Sequence, residues 1–205
     1  MNRKEEIILA TLELASKNGL GNVSMAQIAE KLGIQKPSLY NHFKSKEEII
    51  SAMYQYLRDK SKEQLSFADI DYSEFIKDKS LEQALSQSVL RYTSVTTENK
   101  LLSFYKVIYS ERTVNPVATK IIVEETKRMV LATKNLFYAL QIHKKLFIQD
   151  IDTAAISFAM TIHAMIDYLL DCSFSDEPVS TDIIQNYIQW FCNQYGGIDN
   201  EKNID

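Results

Sequence analysis

Ser24–Glu48, SMAQIAEKLGIQKPSLYNHFKSKEE, is the stretch that decides the fold. Behind Ser24, a residue type whose hydroxyl caps helix starts, Met25, Ile28, Ala29 and Leu32 recur at helical spacing. Gly33 then ends that short helix, because glycine takes the left-handed conformation a tight turn needs. Ile34 is the apolar plug between this helix and the next. Pro37 stands where a second helix begins, a place that tolerates proline because the amide it lacks would go unpaired. Leu39 and Phe43, four apart, form the inward face of that second helix. Its outward face carries Lys36, Ser38, Tyr40, Asn41 and His42, whose hydrogen-bonding groups suit phosphates and base edges. The stretch reads as a helix-turn-helix whose second helix enters a DNA major groove.

Within that motif the expected contacts differ by position. Lys36 and Ser38, at the helix start, are candidates for base or near-base contacts. Tyr40 and His42 lie further along and are expected to reach phosphates. Lys46 enters the first turn of the following helix, where free amides and a cation together make a phosphate site. Ser24 offers the same geometry one helix earlier. Plainer roles stand beside these: Tyr40 can lean on the first helix, His42 can pack or cap, Ser24 can be only an N-cap, and Lys44 can be a solvated turn residue.

Leu32–Ile50, LGIQKPSLYNHFKSKEEII, resembles the recognition-helix signature of TetR-family repressors. The shared pattern is a small-residue turn, a Ser or Thr, Leu-Tyr-x-His-Phe, then Lys-x-Lys-Glu, and the resemblance spans roughly residues 5–55. It implies an all-α chain with an N-terminal helix-turn-helix DNA-binding domain and a C-terminal helical domain for effector binding and dimerisation. It implies a homodimer, most simply a repressor released from a palindromic double-stranded operator by a small molecule. It also implies operator contacts at Ser24, Gln35, Lys36, Pro37, Ser38, Tyr40, Asn41, His42 and Lys46, Gln35 often supplying a base contact. Asn41 departs from an aromatic found at this place in one member of the family, so an operator shared with that member is not implied. Leu101–Lys127 is similar to the family region where an aromatic helix leads to a Pro-containing turn and a long helix.

Composition agrees with a helical, soluble reading. The chain has 205 residues, 45% of them hydrophobic, with five Gly and three Pro, which leaves little room for turn-rich β architecture. No 18-residue apolar run stands out, so no transmembrane helix is expected. The N-terminal apolar segment is interrupted by Glu13 and lacks a cleavage site, so no signal peptide is expected and the cytoplasm is the expected location. Cys172 and Cys192 are expected as thiols rather than a disulfide. Net charge is −4, unevenly spread. Residues 1–60 hold nine Lys/Arg against seven Asp/Glu, a net +2, and the remainder hold fourteen against twenty, a net −6. The basic excess coincides with the helix-turn-helix.

About nine helices are predicted: Arg3–Asn18, the two of the motif, Ser45 to about Ser66, Glu74–Thr96, Asn99–Ser110, Val117 to about Ala139, Asp150 to about Cys172, and Thr181–Tyr195. Phe67–Tyr72 is the expected linker, and Gly196–Asp205 an expected frayed tail. The expected domains are 1–48, with 45–66 connecting, and 49–205. On the eighth predicted helix, Ala155, Phe158, Ile162, Met165 and Leu169 follow a heptad-like spacing. Ile156, Met160, His163, Ile166 and Leu170 make a second apolar face. With Ile184, Tyr187, Ile188 and Phe191 on the ninth, the first set is the expected subunit seam; the alternative is that both faces pack inside one chain.

An effector-responsive chain needs a cavity in its second half. The candidate lining is Tyr92, Phe104, Tyr105, Ile108, Tyr109, Tyr138, His163 and Asp167, for an apolar or aromatic small molecule. These aromatics can equally be core. No Gly-rich phosphate loop, metal-spaced His/Cys cluster or Ser/His/Asp arrangement is present, so catalysis, metal and cofactor are not expected. The rival reading is a DNA-binding regulator with no small-molecule effector, controlled by a protein partner.

Overall fold

A computed structural model of the chain describes residues 2–64, 70–97, 99–175, 178, 180 and 182–197. Among them the architecture is all-α, with ten helices and no strand. α1, Arg3–Asn18, begins where the Asn2 side chain accepts the Glu5 amide at 2.9 Å and ends at Gly19, φ 78°. A 3-10 turn, Leu20–Asn22, leads to α2, Met25–Lys31. Ser24 and Gln27 form a capping box at its start: Ser24 Oγ accepts the Gln27 amide and Gln27 Oε1 accepts the Ser24 amide. Gly33, φ 63°, makes the turn to α3, Lys36–Tyr40. α4, Lys46–Gln64, opens with Ser45 Oγ accepting the Glu48 amide while the Glu48 carboxylate accepts that of Lys44.

The remaining helices are α5 Tyr72–Ile76, α6 Leu81–Thr97, α7 Asn99–Glu111, α8 Pro116–Ile142, α9 Ile151–Ser175 and α10 Ile183–Tyr195. The single helix expected over Glu74–Thr96 is two. Ser80 and Gln83 form a second capping box, Ser80 N donating to Gln83 Oε1 and Gln83 N to Ser80 Oγ, and this starts a new helix at Leu81. Of the expected linker, 67–69 lie outside the described residues; Asp71 caps α5 by accepting the Glu74 amide. The expected tail is also anchored at its start. Gly196 pairs with Leu146 in an isolated bridge, and the Phe147 amide donates to Tyr195 O at 2.9 Å. The rest of that tail, 198–205, lies outside the described residues.

The chain forms two compact units, Met1–Ser66 with Ser94–Glu125, and Phe67–Thr93 with Thr126–Asp205. α4 therefore belongs with the helix-turn-helix. In the first unit, Ile7, Ile8 and Leu12 of α1 meet Ile49, Met53 and Tyr54 of α4, Val107 and Ile108 of α7, and Ala118 and Ile121 of α8. Each such buried Ile or Leu stabilises by about 1.5–3 kcal/mol. Thr11 is buried yet satisfied, its hydroxyl donating to Ile7 O at 2.8 Å.

The second unit is built around aromatic rings. Phe158 of α9 lies 5.5 Å from Phe137, 4.9 Å from Phe191 and 5.6 Å from Tyr187, centroid to centroid. Leu85, Leu140 and Ala155 close the core around them. Lys145 Nζ donates to the carbonyls of Ile76, Lys77 and Lys79 at 2.6, 3.1 and 2.6 Å, so one cation caps the end of α5 and the turn after it.

Two expectations about α9 change here. By length and composition Ile151–Ser175 is apolar enough to cross a membrane, with mean hydropathy 1.4 over its best window. The expectation of no such run missed it because Asp152 and Asp167 interrupt a helix whose average stays high. Its inward face is nonetheless taken up by the second unit, where Ala155, Phe158, Ala159, Ile162 and Ile166 are buried. The expected seam is corrected for the same reason. Ala155, Phe158 and Ile162, with Ile188 and Phe191 of α10, are covered within the chain, whereas Met165, Leu169, Ile184 and Tyr187 are half-buried. The outward stripe is instead Ile156, Met160, Ala164 and Tyr168, spaced four apart and all exposed.

Candidate nucleic-acid interface and effector cavity

α3 has only five residues, too few to hold together by its own backbone bonds. Its position comes from Leu39, fully buried, and Phe43, nearly so, which insert into the first unit's core. Pinned by those two, it turns Gln35, Lys36, Pro37, Tyr40 and Asn41 to solvent, with Ser38 and His42 half-buried. Tyr40 keeps 45% of its surface exposed, which argues against its ring simply lying on α1. Lys4 sits over the Phe43 ring, 5.5 Å from its centroid, adding a cation beside the motif.

Ser24 and Lys46 are each engaged within the chain. Ser24 is the N-cap of α2 and remains exposed, so its hydroxyl is partly committed before any phosphate arrives. Lys46 Nζ donates to Gly21 O at 3.1 Å. That bond holds the ammonium between the start of α4 and the turn ahead of α2, a tether sequence spacing did not show. Lys46, Ser24 and the outward row of α3 are all in the first unit, Ser24, Gln35, Lys36 and Lys46 standing at successive helix starts, where the first backbone amides have no partner within the helix.

The expected effector lining divides between the two units, Tyr105, Ile108 and Tyr109 in the first and Tyr92, Tyr138, His163 and Asp167 in the second. Ile108 is a core residue of the first unit, packed with Ile7 and Ile49. Tyr105 and Tyr109, half-buried, meet edge to face at 6.2 Å. Phe104 lies outside the described side chains. Tyr138 is 46% exposed on α8 and donates to Asp152 Oδ1 at 3.1 Å. Tyr92, His163 and Asp167 do meet: Tyr92 Oη is 3.3 Å from His163 Nδ1, and His163 Nε2 is 3.8 Å from Asp167 Oδ2.

Beside that row the second unit holds a cavity bordered by Ser88, Val89, Tyr92, Met129, Leu136 and Phe158 among others, with a volume of about 40 Å³. It is apolar and has room for little more than water, against the roughly 300–1,000 Å³ of ordinary small-molecule sites. Sequence reading missed Met129 and Thr133 of α8 and Phe158 of α9 as lining, because at helical spacing none of the three stands apart from ordinary core residues. Nearby, Tyr72 Oη is buried without a hydrogen-bond partner among the described residues. Both cysteines are free, and burial, with Glu82 adding to it, pushes the Cys192 thiol up to about 11, leaving it a poor thiolate. No group of three or more His, Cys, Asp or Glu suited to a metal occurs among the described residues.

Residues 7–53 match the family model for the N-terminal region of bacterial regulatory proteins of the tetR family. The tetracycline repressor protein class G of Vibrio anguillarum is 32% identical over 79 residues, 38% of this chain and 38% of that protein. The nucleoid occlusion factor SlmA of Vibrio cholerae is 30% identical over 60 residues, 29% of this chain and 31% of that protein. The chain thus spans well under half the length of the curated relatives it matches. A solved structure from Mesorhizobium loti, assigned to the TetR family of transcriptional regulators, covers 96% of this chain and all of its own, with a TM-score of 0.67 at 20% identity. At that identity the likeness is one of fold.

Proposed function

We propose, for a chain that belongs to the TetR family of bacterial regulatory proteins, that it acts as a homodimeric repressor reading a palindromic operator. The observation carrying this reading is the exposed row Gln35, Lys36, Pro37, Tyr40 and Asn41, held by the buried Leu39 and Phe43. Lys36 and Gln35 address base edges, Ser38 a base or phosphate, and Tyr40, His42, Lys46 and Ser24 the phosphates that set register. On this reading the chain is a DNA-binding regulator rather than an enzyme, and it works in the cytoplasm.

Two copies are needed for a palindrome, their reading helices about 34–36 Å apart. The Ile156–Met160–Ala164–Tyr168 stripe of α9 supplies the subunit face, with half-buried Met165, Leu169, Ile184 and Tyr187 and with Trp190, 51% exposed, on α10. Burial of those side chains against a second copy is the four-helix arrangement such stripes favour.

Release by a small apolar or aromatic effector in the second unit, turned toward Tyr92, His163 and Asp167, is the family-like extension. The 40 Å³ cavity requires its walls to part before anything larger than water enters. The same volume favours the second reading, in which a protein partner rather than a small molecule sets DNA binding. Selection from a random DNA pool followed by footprinting tests the core claim: a palindrome protected in two half-sites one helical turn apart is expected. Recovery of single, unpaired half-sites, or no enrichment, would refute it. Compounds that release the footprint decide between effector and partner.

A further inference from the structure

A pocket of about 460 Å³ lies in the first unit, between the middle of α4 and the start of α8. Its lining is Ile50, Ser51, Tyr54, Gln55 and Arg58 from one side and Asn115, Pro116, Val117 and Lys120 from the other. Unlike the cavity of the second unit, this volume falls in the range of small-molecule sites. Ile50, Pro116 and Val117 give it an apolar wall. Arg58 and Lys120 give it two cations.

Three polar groups there are left incompletely used. Arg58 Nε is buried without a hydrogen bond; its nearest carboxylate oxygen, Glu124 Oε2, stands off at 3.8 Å. Tyr54, 3% exposed, accepts from Asn115 Nδ2 at 3.3 Å, yet its own proton has no acceptor among the described residues. Burial, with Glu111 adding to it, pushes that phenol up to about 12, so it stays a donor at any physiological pH. Lys120 is exposed and makes no ion pair among the described residues. Gln55 is spoken for, its amide donating to Asp59 Oδ1 at 2.9 Å. Unused donors at the wall of a ligand-sized pocket, with buried nitrogen among them, mark a place where an acceptor is missing.

We infer that this pocket binds a small organic carboxylate, its anionic oxygens taken by Arg58, Lys120 and the Tyr54 hydroxyl and its apolar body laid against Ile50, Pro116 and Val117. The carboxylate accepts where the half-buried arginine and the buried phenol have donors to spare, and the partial neutralisation of Arg58 by Glu124 keeps the demand to a single negative charge. Occupancy bridges α4 to the first turns of α8. α4 is the helix that continues directly from the DNA-presenting motif, so the site acts on the reading head from inside its own unit. It stands whether or not the second unit has an effector.

The test is a titration of the full chain, followed by amide chemical shifts, with benzoate and separately with benzyl alcohol. Saturable benzoate shifts confined to residues 50–58 and 115–120 are expected, with benzyl alcohol at least about tenfold weaker, the scale of one charge-assisted hydrogen bond. Arg58→Gln and Lys120→Gln are each expected to weaken benzoate about tenfold, and Tyr54→Phe, which keeps the ring in the core, several-fold. Lys120 is exposed, so its variant folds even where a change at Arg58 disturbs α4. Equal shifts from both compounds, shifts at Val89 and Phe158 instead, indifference to all three substitutions, or no saturable shift would each overturn the assignment.

Discussion

Phe158→Ala removes a ring that the second unit's core and its cavity share. The side chain is 4% exposed, packs against Phe137, Phe191 and Tyr187, and borders the 40 Å³ cavity. Its transfer from water contributes about 1.5–3 kcal/mol. Its loss enlarges the cavity to on the order of 150 Å³, a size that stays dry and admits benzene in other proteins. At about 24 cal/mol per Å³ the added void costs about 2.5 kcal/mol more, so the total is about 4–5.5 kcal/mol. Urea unfolding at a fixed protein concentration measures it, because the stability of any self-associating chain depends on concentration. Benzene or indole at a hundred times its dissociation constant is expected to return about 2.7 kcal/mol. A loss below about 1.5 kcal/mol would refute burial within the chain and return Phe158 to the subunit seam. A full loss without aromatic rescue would refute the continuity of ring and cavity.

Ile156→Glu with Met160→Glu is expected to give a folded monomer by sedimentation, with helicity kept, because both residues face outward; a dimer surviving the pair would remove that stripe from the interface. Lys46→Ala is expected to weaken binding to all DNA and lower the salt slope by about one unit, while Lys36→Ala shifts sequence preference; the checks are a salt titration and a competition with random DNA. Tyr54, its phenol raised from 10.0 to about 12, keeps its proton folded where the unfolded chain has lost it. Stability from this group is therefore complete below pH 10 and lost as pH rises toward 12, and Tyr54→Phe is expected to flatten urea midpoints measured across that window.

The sequence carried the helix-turn-helix nearly whole. Ser24, Gly33, Pro37, Leu39 and Phe43 are local signals, each fixing its own few residues, and the helices appear where those signals put them. The split at Lys77–Ser80 was legible too, in Ser80 and Gln83, but α6's apolar repeat extends backward into α5 and hid it. α9 resisted for a different reason. Helical spacing shows that two faces are apolar without saying which one its own chain covers, and Phe158 looks the same in a heptad whether it meets Phe191 or a second subunit. The proposed carboxylate pocket left no trace in spacing at all, since Tyr54, Arg58 and Lys120 come together only when α4 and α8 pack.

On the proposed function, a reading element of five residues, anchored by Leu39 and Phe43 and otherwise turned outward, separates what holds the head in place from what it recognises. Changes at Gln35, Lys36 or Asn41 touch no core contact, so new address codes can arise by drift at those sites while the scaffold stays intact. A lineage built this way diversifies its targets faster than its architecture, and grafting those few outward side chains onto a sister protein should carry the target across with them.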